Sequence, residues 1–125
     1  MIKLENADKP TTLPKGCLEI DDLPLEVASV LAIRVAKIIH PFEYPNNLQM
    51  EVEVVEVNGL YTGFHVVETQ LSPDYLGNYK KQSVLMSTSL RAKPIILGKR
   101  TWEIKMGWEV WMKVPKGWRM VTRVF

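Results

Sequence analysis

Cysteine and histidine are nearly missing from this chain, and the short motifs of enzyme chemistry are missing altogether. Cys17 is the only cysteine among 125 residues, so no disulfide can form within the chain, which suits a reducing compartment or a fold that needs no staple. A structural thiol is the expectation. His40 and His65 are the only histidines, with no Cys-x-x-Cys and no His-x-x-x-His, so neither a transition metal nor any other cofactor is expected. Phosphate-loop, dinucleotide and hydrolase-elbow glycine patterns do not occur, and an enzyme is not expected. There is no Asn-x-Ser/Thr sequon, and the start Met1-Ile-Lys-Leu-Glu-Asn lacks a basic stretch followed by an apolar run. An intracellular place, or one within an assembled particle, follows as the expectation. The longest apolar stretch, Leu23 to Ile39, contains Glu26, Arg34 and Lys37 and is too short and too charged to span a bilayer.

What the chain does have is a lopsided distribution of charge. Residues 1 to 75 hold 5 Lys/Arg against 12 Asp/Glu, and residues 76 to 125 hold 11 against 2. A formal net charge of +2 therefore conceals an acidic segment followed by a basic one. The basic half carries all four tryptophans. Its cations must meet the chain's own acidic half, the acidic half of another copy, or a polyanion.

The local patterns predict an α+β fold. Residues 1–20, with Pro10, Pro14 and Gly16, read as an extended N-terminal arm, and residues 21–125 as a single α+β domain. Asp21-Asp22-Leu23-Pro24 is a helix-start signal, with a carboxylate to cap free amide groups and proline in the first turn. His40-Pro41 stops the helix. Glu26, Arg34 and Lys37 form a narrow polar stripe that also contains Val30 and Ile33, so nearly the whole circumference is apolar. Leu48 to Val57 alternates apolar and acidic residues, Asn58-Gly59 supplies the positive φ angles of a type I′ turn, and a second strand runs from Leu60 to Glu68. Gly63 is a candidate bulge. A loop displaying Tyr75 and Tyr79 follows. Short strands are then expected at Ser83 to Leu90 and Pro94 to Leu97, with a turn at Gly98-Lys99-Arg100.

Strict alternation from Trp102 to Val114 makes the last segment a hairpin. A three-residue loop ending at Gly117 pairs Val114 with Trp118, Met112 with Met120, Val110 with Thr122 and Trp108 with Val124. The outer face then pairs Trp111 with Val121, Glu109 with Arg123 and Lys113 with Arg119. On this register Trp102, Trp108 and Trp118 face the core, and Trp111 alone faces out. The expected architecture is one N-terminal helix on a mainly antiparallel, curved sheet or partly open β-barrel of about six strands, ending in the Trp-rich hairpin.

Of three constellations, only the basic, aromatic C-terminal half carries functional weight. His65 has the character of a general base beside Glu53 or Glu51, although a hydrogen-bonded polar-face histidine is the preferred reading. Glu51, Glu53 and Glu56 resemble a Ca²⁺ or Mg²⁺ ligand row, but their alternation makes them a solvated face or the acidic side of an interface. The basic half supports two partners. In the first, acidic and basic β surfaces of neighbouring copies meet, with Val30, Ile33, Glu51, Glu53, Glu56, Trp111, Lys113, Arg119, Arg123 and Phe125 at the contact. That describes a structural protein forming rings, tubes or hetero-oligomers, as small components of viral or phage particles do. In the alternative, Tyr75, Tyr79, Lys80, Lys81, Lys99, Arg100, Lys105 and Trp111 bind single-stranded nucleic acid by following phosphates and stacking on bases.

Overall fold

The computed structural model describes residues 11–40, 48–71, 79–100 and 103–124. Among these residues one α-helix, α1 (Leu25–Ile39), accompanies seven strands: β1 (Leu18–Glu19), β2 (Leu48–Val57), β3 (Leu60–Leu71), β4 (Tyr79–Met86), β5 (Leu90–Arg100), β6 (Glu103–Val114) and β7 (Gly117–Val124). They form two antiparallel sheets, β1-β5-β6-β7 and β2-β3-β4, not closed into a barrel. The helix contacts β2, β3 and β4 of one sheet and β7 of the other, so it fills the space between them. Ala28, Ala32 and Ala36 recur every fourth residue and are fully buried, which lets the helix approach closely. Leu31 and Val35 add bulk on the same side, each contributing about 1.5–3 kcal/mol through burial. Phe64, Val66 and Leu85 meet them from the three-stranded sheet; Leu90, Ala92, Val110 and Val124 meet them from the other.

Each of the four long strand pairings contains one irregularity. Thr62 is passed over between Val55↔Gly63 and Glu56↔Tyr61, and Val84 between Val66↔Leu85 and Val67↔Ser83. Leu97 and Val121 are passed over in the same way in the other sheet. Bulges bend a strand and increase its twist, which curves both sheets around the single helix. The Asn58-Gly59 turn has φ of 52° and 78°, as a type I′ turn requires.

Three local expectations need correction. Asp21 does not cap α1; Pro24 occupies the cap position and no side chain bonds there. Asp21 instead accepts hydrogen bonds from Tyr61 Oη at 3.2 Å and Ser87 Oγ at 3.1 Å, partners that outcompete a free helix end. Gly98-Lys99-Arg100 is not a turn: β5 runs on to Arg100, with the extra residue Leu97 absorbed as a bulge. Tyr79 opens β4 rather than lying in a loop.

The Trp-rich hairpin differs in register. Trp108↔Val124, Glu109↔Arg123 and Val110↔Thr122 pair as expected, but Trp111 then faces Met120, Lys113 faces Trp118 and Val114 faces Gly117. A two-residue turn at Pro115-Lys116 replaces the three-residue loop, and the bulge at Val121 restores the register beyond it. The side chains swap faces accordingly. Val121 packs against the core, while Trp118 and Met120 share the outer face with Trp111.

Candidate functional site

The outer face of the four-stranded sheet is built around Glu109 on β6. Its Oε1 accepts a hydrogen bond from the Trp111 indole at 2.8 Å, and its Oε2 accepts one from Arg123 Nε at 3.3 Å. Arg91 on β5 stacks 5.1 Å from the centre of the Trp118 ring and lies 3.7 Å from Glu19. Thr11 pairs with Trp118 through two backbone bonds, of 2.8 and 2.9 Å, at the β7 edge of this sheet. Because β1 lies on the opposite edge, residues 12–17 must cross β5 and β6, which lie between them. Gly16 comes close to Lys93 and Cys17 senses Lys93, Glu109 and Arg91, so this strap crosses the face turned away from α1. Leu13 and Pro14 are half-buried there. The chain itself thus meets the tryptophan face, and Trp111 is half-buried.

On the outer face of the other sheet, His65 Nε2 lies 3.3 Å from Glu53 Oε1, and Lys81 Nζ is ion-paired with Glu53 Oε2. The Lys81 hydrogen bond, then that of His65, holds the Glu53 carboxyl below its ordinary range despite some desolvation. This pair joins the acidic and basic halves within one chain. Glu51 shares that face and is exposed; Glu56 has the opposite parity on β2 and faces Tyr61, so the three glutamates do not form one row. Among the described residues, no three His, Cys, Asp or Glu side chains group as a metal site.

No family model, curated protein or solved structure matches this chain. Its surfaces must therefore be read from their own chemistry.

Of the residues expected at an interface, Val30 is 54% exposed on α1, whereas Ile33 is half-buried and packs against core side chains. Lys113 is exposed, Arg119 half-buried, and Arg123 bonds to Glu109. Phe125 and Tyr75 lie outside the described residues. Tyr79, Lys80, Lys99, Arg100 and Lys105 fall on described strands, but their side chains lie outside the description. No helix among the described residues is long and apolar enough to cross a membrane.

The sequence pattern did not single out the most exposed apolar groups. Leu60 at the β2–β3 turn is 70% exposed, and Val54, Val57 and Tyr61 beside it are also exposed. Ile96 and Met106, paired across β5 and β6, are 62% and 59% exposed. The turn signal at Asn58-Gly59 could have revealed the first group, since residues flanking a tight turn project from the sheet. Nothing local marked the second. A pocket of about 320 Å³ opens beside Ile39, between β4 and β6, with Met86, Met112 and Lys113 in its wall.

Proposed function

We propose that this chain is a non-enzymatic structural subunit that assembles with copies of itself. The observation that carries this reading is the placement of large apolar side chains, Leu60 and Val57 on one hairpin and Ile96 and Met106 on another, out in solvent. Exposed single hydrophobics are ordinary, but grouped ones mark contact surfaces. The hairpins also differ in charge, which favours contact between unlike patches of separate copies. A single-strand nucleic-acid platform draws less support, because Lys81 is committed to Glu53 and the Trp111 indole to Glu109.

Solution mass tests the reading. Light scattering or sedimentation across a concentration series, in low and high salt and with and without a single-stranded oligonucleotide, should give a multiple of 14.4 kDa that falls as salt rises. A chain that stays monomeric at high concentration and low salt overturns it. Salt-sensitive oligonucleotide binding by such a monomer would favour the nucleic-acid alternative.

A further inference from the structure

We propose that the Ile96–Met106 face of the β5–β6 ribbon of one copy docks on the tip of the β2–β3 hairpin of the next. The inference rests on the assembly reading and names the two surfaces it uses.

Both elements outrun their sheets. The β1 pairing ends at Leu18↔Ala92 and the β7 pairing ends at Trp108↔Val124, yet β5 and β6 continue through Ile96↔Met106 to Arg100↔Glu103. Among the described residues, the ribbon is two strands wide beyond those points. The β2–β3 hairpin does the same: β4 stops at His65↔Met86, while β2 and β3 continue to Val57↔Leu60. A two-stranded ribbon is marginal alone and gains from a surface to lie against. Ile96 and Met106 carry on the parity of the core residues Ala92 and Val110, so the apolar side of this ribbon extends past the helix that would cover it.

Charge decides which surfaces meet. Residues 48–61 carry three glutamates and no cation, and Glu51 and Glu56 remain acidic beside the Glu53 that Lys81 already pairs, whereas residues 93–105 carry Lys93, Lys99, Arg100 and Lys105 against Glu103 alone. Hairpin against hairpin, or ribbon against ribbon, opposes like charges; hairpin against ribbon brings unlike charges around two apolar patches. The two patches differ, so the contact is heterologous. Each copy offers one of each, and growth proceeds head to tail until a ring closes or a filament runs on.

Two variants and their mixture test this. Glu56→Lys with Leu60→Ser blocks the hairpin tip, and Ile96→Asp blocks the ribbon. Each should be monomeric alone, and an equimolar mixture should form a 1:1 dimer, twice 14.4 kDa, and nothing larger. Only one intact ribbon and one intact hairpin remain in that mixture. Thermal unfolding checks that each variant is folded, with Met106→Asp replacing Ile96→Asp if the latter lowers the melting temperature markedly. Variants that assemble like the parent would overturn these surfaces while leaving self-assembly intact, and a mixture that stays monomeric would overturn their pairing. A parent chain that is itself monomeric removes the assembly reading and this inference together.

Discussion

The Trp111 indole N–H donates to Glu109 Oε1 across 2.8 Å, two residues away on the same face of β6. The carboxylate is largely sheltered, and its other oxygen accepts from Arg123. Removing the acceptor leaves two donors on a partly covered face. Glu109→Ala should lower unfolding free energy by about 1–3 kcal/mol, whereas Trp111→Phe, which keeps the ring and loses one bond, should cost about 0.5–1.5 kcal/mol. Urea unfolding followed by tryptophan fluorescence would measure both; a Trp111→Phe cost above that of Glu109→Ala would contradict this arrangement.

The Glu109↔Arg123 pairing was readable from alternation because both strands keep period two between Trp108 and Val110. One residue further the reading fails, since the bulge at Val121 turns Trp118 and Met120 to the other face. Val121 is β-branched and carries no local mark of irregularity, unlike Gly63 beside the Thr62 bulge. The helix and the β2–β3 hairpin were legible for the opposite reason: His40-Pro41 and Asn58-Gly59 act on their immediate neighbours. Asp21 shows the limit of local signals. Its partners lie 40 and 66 residues away, and they take a carboxylate that helix capping would otherwise use. The exposure of Ile96 and Met106 was hidden too, because alternation identifies a face but not how far the covering layer extends.

Ser87 Oγ is buried, accepts from the Phe64 N–H at 3.1 Å and donates to Asp21 Oδ2. A Cβ on Gly63 would sit 2.6 Å from that oxygen, and Gly63 has φ of +132°, which side chains other than hydrogen avoid. Gly63→Ala should therefore cost on the order of 1–3 kcal/mol or more. Ser87→Ala strands a buried N–H and should cost about 1–3 kcal/mol. The double variant should cost less than the sum, by about 0.5–3 kcal/mol, because deleting Oγ makes room for the added methyl. Strict additivity in a double-mutant cycle would argue that backbone strain alone, without the contact, sets the Gly63 requirement.

Tyr61 donates to Asp21 Oδ1, and its phenol is pushed above the ordinary 10.0 by burial first and by the Asp21 carboxylate second. The folded state then holds that proton more tightly than the unfolded chain. Its contribution is complete below the ordinary value and is lost as pH rises through the folded one. As pH rises above 10 the parent should lose stability more steeply than Tyr61→Phe. Matching alkaline slopes in a pH series of melting temperatures would exclude this linkage.

Glu53 shifts the other way. Lys81 first, then His65, favours its ionised form, so its contribution is present above the ordinary 4.5 and lost as pH falls through the lower folded value. Carbon-detected titration should place the Glu53 midpoint below that of free glutamate. Lys81→Met should move it upward, and by more than His65→Gln does. Equal shifts from the two variants would mean that Lys81 does not dominate.

Cys17 reports on the strap that crosses the tryptophan face. Burial, aided by Glu109, raises its thiol above the ordinary 9.0, while Lys93 and Arg91 pull it back. Only the thiolate reacts readily, so a disulfide reagent at pH 8 should label Cys17 more slowly in the folded protein than in urea. Lys93→Met removes the largest opposing charge and should slow labelling further at fixed pH. Thr11→Pro acts differently, since proline cannot donate the 2.8 Å bond to the Trp118 carbonyl that fastens the strap. Faster labelling in that variant, with global unfolding unchanged, is the outcome expected if the strap shields the thiol by lying across the sheet. If Thr11→Pro leaves the rate untouched, the shielding comes from β1 and its neighbours alone, since Leu18↔Ala92 pairing would hold Cys17 in place without the distal fastening.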